Sequence, residues 1–217
     1  MIVLQESLKM GLVQSVKIPV SSQALVMLSL GHLEKFQEQA SSRLRVSLTL
    51  SKISYVMKIV KLYEDGTYIT LRLAATMYHH FHAPCDGIIN KVTYIYGDTW
   101  NVNPIAIRRV EKLFCKNERA VIETETLNGH KITLVPVAAI LVASIWLKFI
   151  NVLLHLKYPG PNQIDCKYPC TKGEDLGWFQ HGSTIIMFAP KNFQLTDNIK
   201  IGDIIRMGMP LMSFPKN

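Results

Sequence analysis

Apolar and polar residues alternate with a period of two over several short stretches of the chain. Arg43-Leu44-Arg45-Val46-Ser47-Leu48-Thr49-Leu50 places every second side chain on one face, and Ala120-Val121-Ile122-Glu123-Thr124-Glu125-Thr126 does the same. Both patterns predict half-buried strands. The apolar run Ala24 to Leu28, behind the turn Pro19-Val20-Ser21-Ser22, predicts a buried strand, as does Ile185 to Ala189. Asn128-Gly129 predicts a two-residue hairpin turn between Ala120–Thr126 and a strand over Lys131–Val135. Ile59 to Leu73 reads as two strands joined across Glu64-Asp65-Gly66, and Lys91–Tyr96 as a strand closed by Gly97-Asp98. Helical signals are few: a polar, helix-friendly stretch from Gly31 to Ala40 and a short amphipathic one before Leu113. The break at Tyr158-Pro159-Gly160-Pro161 opens what reads as a polar loop to Gly173, and Gly202–Leu211 supplies a last strand and turn. The fold expected is α+β, with a mainly antiparallel β-sheet core and a few short helices, in a single domain over residues 1–217.

Composition narrows the setting. At 217 residues and 48% hydrophobic content the chain is long enough to bury a sizeable core. Its formal net charge of +8 favours polyanionic partners, but charged residues make up only 18% and no basic run is interleaved with aromatics. That disfavours nucleic acid and favours the surface of an anionic membrane. Thr133 to Leu147 is apolar, yet it is too short for a spanning helix before Lys148 and contains Pro136. No transmembrane helix is expected, although Leu153 to Leu156 has the character to lie against a membrane. Met1 to Gln14 carries Glu6 and Lys9 inside its apolar stretch and does not read as a secretory signal. Four scattered cysteines, at 85, 115, 166 and 170, make neither a disulfide framework nor a zinc site with two ligand pairs. The expected location is the cytoplasmic face of a membrane, held peripherally.

Two clusters carry candidate chemistry. In Gly177-Trp178-Phe179-Gln180-His181-Gly182-Ser183-Thr184, a Gly-Ser bond stands where a strand begins. Glycine admits backbone conformations closed to other residues, and the serine hydroxyl is within reach of the preceding carbonyl. Addition of Ser183 Oγ to the Gly182 carbonyl would turn amide into ester, and elimination across Ser183 Cα–Cβ would release the upstream piece. The dehydroalanine left behind hydrolyses to an N-terminal pyruvoyl group and ammonia. In Tyr78-His79-His80-Phe81-His82-Ala83-Pro84, His79 and His82 share a side if the segment is helical, His80 and His82 if it is extended. Satisfied core histidines, a metal site and acid/base catalysis are the open readings, and only Cys85 and Asp86 lie nearby as further ligands.

Taken together, Tyr78-His79-His80-Phe81-His82-Ala83-Pro84 with Gly87, Gly97-Asp98 with Val102-Asn103-Pro104, Leu113-Phe114 with Asn117-Glu118-Arg119, and Lys172-Gly173-Glu174 with Gly177-Trp178-Phe179 and Gly182-Ser183-Thr184 closely resemble the phosphatidylserine decarboxylases. The resemblance runs from about Ser51 to Met209 and more weakly back to Pro19. It implies a proenzyme that cleaves itself between Gly182 and Ser183 into a β-chain of 1–182 and an α-chain of 183–217, with a pyruvoyl cofactor made from Ser183. The implied reaction turns phosphatidylserine into phosphatidylethanolamine and CO2 through a pyruvoyl Schiff base, as a carboxy-lyase of phospholipid biosynthesis. By the same resemblance His82 assists serine attack in a charge relay, and His79 stands near substrate for decarboxylation and reprotonation. The implied partners are phosphatidylserine, an anionic membrane surface, the α- and β-chains of one precursor, and a further copy of the chain; no metal and no nucleic acid are expected. Two positions depart from the family pattern: Ser21 stands where a relay aspartate is usual, and Met77 where a second aspartate precedes the Tyr-His pair. Asp65, Asp86 and Glu64 are the candidate replacements for the missing acids. The region before Pro19 is short beside many relatives. The alternative reading is an uncleaved, non-catalytic lipid-binding relative that has lost its relay acids.

Overall fold

The computed structural model describes residues 9–16, 62–63, 65–73, 77–110, 113–140, 144–155, 158–180, 182–197, 199–200 and 202–215. The strands expected over Ala24–Leu28 and Arg43–Leu50, and the helix over Gly31–Ala40, lie outside them.

The apolar run after Ser183 forms strand Thr184–Ala189 (β11), with every residue buried. That follows from its neighbours: it lies between Thr67–Arg72 (β2) and Lys131–Val137 (β6), antiparallel to both, and both faces of the sheet are covered there. Outward from β2 come Lys9–Val16 (β1) and Ile204–Arg206 (β13); outward from β6 come Arg119–Thr126 (β5), Gly87–Ile95 (β4) and Gln163–Cys170 (β9). These eight strands make the large sheet, in the order β13-β1-β2-β11-β6-β5-β4-β9. A second sheet of four strands runs His80–His82 (β3), Asp175–Phe179 (β10), Ser144–Leu147 (β7) and Val152–His155 (β8). Gln194–Leu195 (β12) and Met212–Ser213 (β14) form a small pair.

One core fills the space shared by the two sheets. Leu71, Leu73, Ile122, Leu134, Ile185 and Met187 of the large sheet join Phe81, Ile145, Leu147, Leu154, Leu176 and Phe179 of the small one. The opposite face of the large sheet carries its own cluster, with Val121, Val135, Val137, Ile186 and Phe188 packed against Tyr63. Successive residues of each central strand thus divide between two dry faces, as the two-residue period requires.

Among the described residues helices are minor: Pro104–Arg109 (α1), capped by the Asn103 side chain at Ala106 N–H (2.7 Å), Leu113–Lys116 (α2), and a 3-10 turn, Lys148–Ile150. The mainly antiparallel β core expected is present, and the architecture is β-dominated, so α+β describes it only loosely. Three local expectations are corrected. Of the two strands expected across Glu64-Asp65-Gly66, residues 59–61 and Glu64 lie outside the described residues, Leu62 and Tyr63 are helical, and the second strand, β2, has both edges taken by β1 and β11. The 163–170 stretch is a strand, not a polar loop: its side chains alternate between exposed and half-buried at the sheet edge, where Pro169 is tolerated. The β5–β6 turn holds three residues, closed by Thr126 N–H to His130 O, with Gly129 at φ +78°.

Candidate active site

Ser183 is fully buried and sits one residue before β11, on the connection by which the chain leaves the small sheet for the large one. Its carbonyl accepts the Leu73 N–H (2.8 Å), and its hydroxyl donates to the Val137 carbonyl. Val137 is the last residue of β6, and it faces Arg119 on one side and Thr184 on the other. Pro136, just before it, lacks an N–H, and the β5–β6 pairing is interrupted between Arg119–Val137 and Ile122–Leu134.

The end of β6 is held instead by a buried polar knot. Asn117, fully buried, donates to the carbonyls of Trp100 (2.8 Å) and Ala138 (2.9 Å) and accepts the Trp100 N–H (2.9 Å). Ala138 N–H donates to Glu118 O (2.8 Å), and the buried Arg119 guanidinium donates to Asn117 O (2.9 Å). The Glu118 carboxyl is also fully buried; Oε1 accepts the Tyr94 hydroxyl (2.8 Å), and Oε2 has no hydrogen-bond partner among the described residues. Burial pushes its pKa up, against the smaller opposing effects of the Tyr94 bond and of His155.

The histidines lie on the small sheet and the segment is extended, so the even positions share a side. Tyr78 stacks on His80 (4.8 Å between centroids) and on His82 (5.7 Å), and His80 stacks on Trp178 (5.4 Å), which meets Trp146 (5.4 Å). Phe81 turns the other way, onto Phe179 in the core. His82 Nδ1 lies 2.8 Å from the Gly173 carbonyl, which can only accept, so that nitrogen carries the proton. In the neutral ring Nε2 is then the acceptor for the Tyr78 hydroxyl at 2.9 Å. Burial pushes the His82 pKa down, only partly offset by the Gly173 carbonyl and Asp175, which favours that neutral form.

His80 donates through Nδ1 to Asp175 Oδ1 (3.2 Å), and Lys148 Nζ reaches Asp175 Oδ2 (3.0 Å). Burial alone would raise the Asp175 pKa, but the bonds from Lys148 and His80 outweigh it and leave it below its ordinary value. The His79 carbonyl accepts the N–H of Phe179 (3.0 Å), four residues before Ser183, whereas His82 pairs with Asp175 at the far end of β10. His79 thus flanks the strand that leads to the Gly182-Ser183 bond, with His82 three residues, or about 10 Å of strand, farther from it.

Of the carboxylates weighed as replacements for the relay acids, Asp65 pairs with Lys191 at the surface (3.2 Å) and Asp86 accepts the Lys172 N–H (2.8 Å). Ser21 and Glu64 lie outside the described residues, as does His181. The carboxylate that touches the histidine cluster is Asp175, which the sequence reading passed over. The signal was its place opposite the histidines in Lys172-Gly173-Glu174-Asp175, but only the β3–β10 pairing shows it. Among the described residues no three His, Cys, Asp or Glu side chains gather in a metal-holding group, and no helix is long and apolar enough to cross a membrane.

Comparison with known proteins bears on the same residues. A "phosphatidylserine decarboxylase proenzyme" of Haemophilus influenzae is 32% identical over 160 residues, covering 70% of this chain and 53% of the relative. One of Myxococcus xanthus is 33% identical over 165 residues, 75% of this chain and 59% of the relative. A third, of Idiomarina loihiensis, is 37% identical over 159 residues, 68% and 53% respectively. The chain thus spans little more than half the length of these relatives. The family model described as phosphatidylserine decarboxylase matches residues 15–213, which take in the histidine strand, the Asn117 knot and the Gly182-Ser183 bond alike. With that match over nearly its whole length, the chain belongs to the phosphatidylserine decarboxylase family.

Proposed function

We propose that this chain is a self-cleaving phosphatidylserine decarboxylase proenzyme, which breaks its own Gly182-Ser183 bond to give a β-chain of 1–182 and an α-chain of 183–217 in one domain. The observation that carries the reading is Ser183 itself: a fully buried residue at the head of a central strand, its hydroxyl bonded to the Val137 carbonyl on one side and its carbonyl to the Leu73 N–H on the other. Burial suits a reaction within the chain, because an intramolecular attack needs alignment and no solvent access.

In this reading a pyruvoyl group formed from Ser183 supplies an electron sink for the pair released with CO2. The residues fit such a group: the α-chain would begin in the dry row between β2 and β6, with Leu73 and Val137 on either side. His82 takes the Ser183 hydroxyl proton during cleavage, its Nε2 being the basic nitrogen because Gly173 holds the proton on Nδ1. Tyr78 must release that nitrogen first. His79, beside Phe179, stands near substrate and returns the proton that follows loss of CO2. The substrate is phosphatidylserine, the product phosphatidylethanolamine, and the surface an anionic membrane approached by a chain of net charge +8.

Intact mass spectrometry of the purified full chain, followed over time, tests this reading. Two fragments dividing at Gly182/Ser183, the smaller blocked by a pyruvoyl group, are the expected result. Release of CO2 and phosphatidylethanolamine from phosphatidylserine vesicles is the expected activity. A single species at full mass after long incubation overturns the proposal and leaves a non-catalytic relative.

A further inference from the structure

The register of the large sheet places two reactive side chains on one face. Arg119 pairs with Val137, Val137 with Thr184, and Thr184 with Arg72. One residue further along lies the row Glu118, Ala138, Ser183 and Leu73. The row is closed by the backbone bonds from Ala138 N–H to Glu118 O and from Leu73 N–H to Ser183 O. Residues opposite each other in an antiparallel sheet project from the same face. Leu73 and Ala138 belong to the core shared by the two sheets, as do Ile185 of β11 and Ala120 of β5, the alternate residues after Ser183 and Glu118. Both Glu118 and Ser183 therefore face that core.

They are two strands apart, about 10 Å between Cα atoms. Between them stands Ala138, the shortest side chain of the row. The Glu118 side chain is fully buried, and among the described residues Oε2 has no hydrogen-bond partner. An orphaned buried carboxyl oxygen costs stability, and a functional role is one reason for a native fold to keep it.

Building on the self-cleavage read above, we propose that Glu118 is the general acid of that reaction, protonating the Ser183 nitrogen as the Gly182-Ser183 amide breaks. As His82 takes the Oγ proton, a bond forms between Oγ and the Gly182 carbonyl carbon. The bond from that carbon to the Ser183 nitrogen then breaks, its electron pair staying on nitrogen, which takes the Glu118 proton. The products are an ester and a free amine, with His82 cationic and Glu118 anionic. Proton exchange with solvent restores both. Burial favours the neutral form of each group, which is the form each role needs: a base able to take a proton and an acid able to give one. The titratable groups facing Glu118 are Tyr94 on β4 and His155 on β8.

The test is the rate at which fragment 183–217 appears from the full chain, by intact mass, across pH. Glu118→Gln keeps the Tyr94 bond and the volume but donates no acidic proton. It is expected to slow cleavage about a hundredfold and to remove the alkaline fall in rate. Tyr94→Phe takes away a bond that lowers the Glu118 pKa, so the alkaline limb moves to higher pH. A Glu118→Gln chain that folds and cleaves at the wild-type rate with the same profile overturns the proposal. Should that variant fail to fold, an unmoved limb in Tyr94→Phe overturns it instead. A wild-type chain that never cleaves refutes the reading of Ser183, a result distinct from either.

Discussion

The two places where this chain gathers polar groups are built in opposite ways. On the small sheet, Tyr78, His80, Trp178 and Trp146 stack as a half-buried ladder, with Asp175 shared between His80 and Lys148 at the edge of solvent. At the end of the large sheet, Asn117, Glu118 and Ser183 are without solvent exposure, and their partners are mostly backbone carbonyls and amides. A ladder reached by water can admit and release a substrate many times. A dry row suits a reaction that happens once, between groups already in place. In the proposed chemistry the bond that is cleaved lies in the row, while the bases that act on it and on substrate, His82 and His79, come from the histidine segment of the small sheet.

The largest effect that tests this division is Ser183→Ala, which is expected to leave the chain whole by mass spectrometry; the same two fragments from that variant would point to a contaminating protease. Next comes Asn117→Ala. It strands the Trp100 amide and the Trp100 and Ala138 carbonyls, and is expected to cost about 2–4 kcal/mol in denaturant unfolding. A change below about 0.5 kcal/mol would mean that the knot does not hold the end of β6.

His82 comes third. Its folded pKa is depressed below 6.5, so the unfolded chain binds more protons and stability is lost as pH falls below that value. His82→Gln should flatten the acid side of a urea-midpoint profile. Glu118 has the opposite sign: its pKa is raised above 4.5, so its contribution is full below that value and lost as pH rises. The smallest effect is expected of Asp175→Asn, at most about 1 kcal/mol and reduced by salt, because both ion pairs are partly exposed. An equal or larger loss there than at Asn117 would erase the distinction between the wet ladder and the dry row.

Much of the scaffold was readable from the chain alone. The alternation over Ala120–Thr126, the turn at Asn128-Gly129 and the apolar run after Ser183 became β5, its hairpin to β6, and β11. Gly182-Ser183 was expected where a strand begins, and β11 starts one residue later. The three histidines were visible, but their sidedness waited on backbone geometry: an extended segment put His80 and His82 on the Tyr78 side. Where the sequence reading erred, the deciding partner was distant. Thr67–Arg72 looked like half of a local hairpin until β1 and β11 occupied both its edges, and Gln163–Cys170 looked like a loop until β4 gave it a ladder.

Period, turn chemistry and residue type are local properties, and they were enough to mark the Gly182-Ser183 bond at the head of a strand, the histidine cluster, and the strands β2, β4, β5, β6 and β11. Register is not local. That Glu118 and Ser183 face one core across Ala138 depends on two successive pairings, β5 with β6 and β6 with β11. A slip of one residue in either pairing would turn one of the two side chains to the other face. The pairings that Asp175 makes with the histidine strand are likewise set by strands 95 residues apart in sequence. Such distances are closed by packing two sheets on one core, and no short stretch of the chain encodes that by itself.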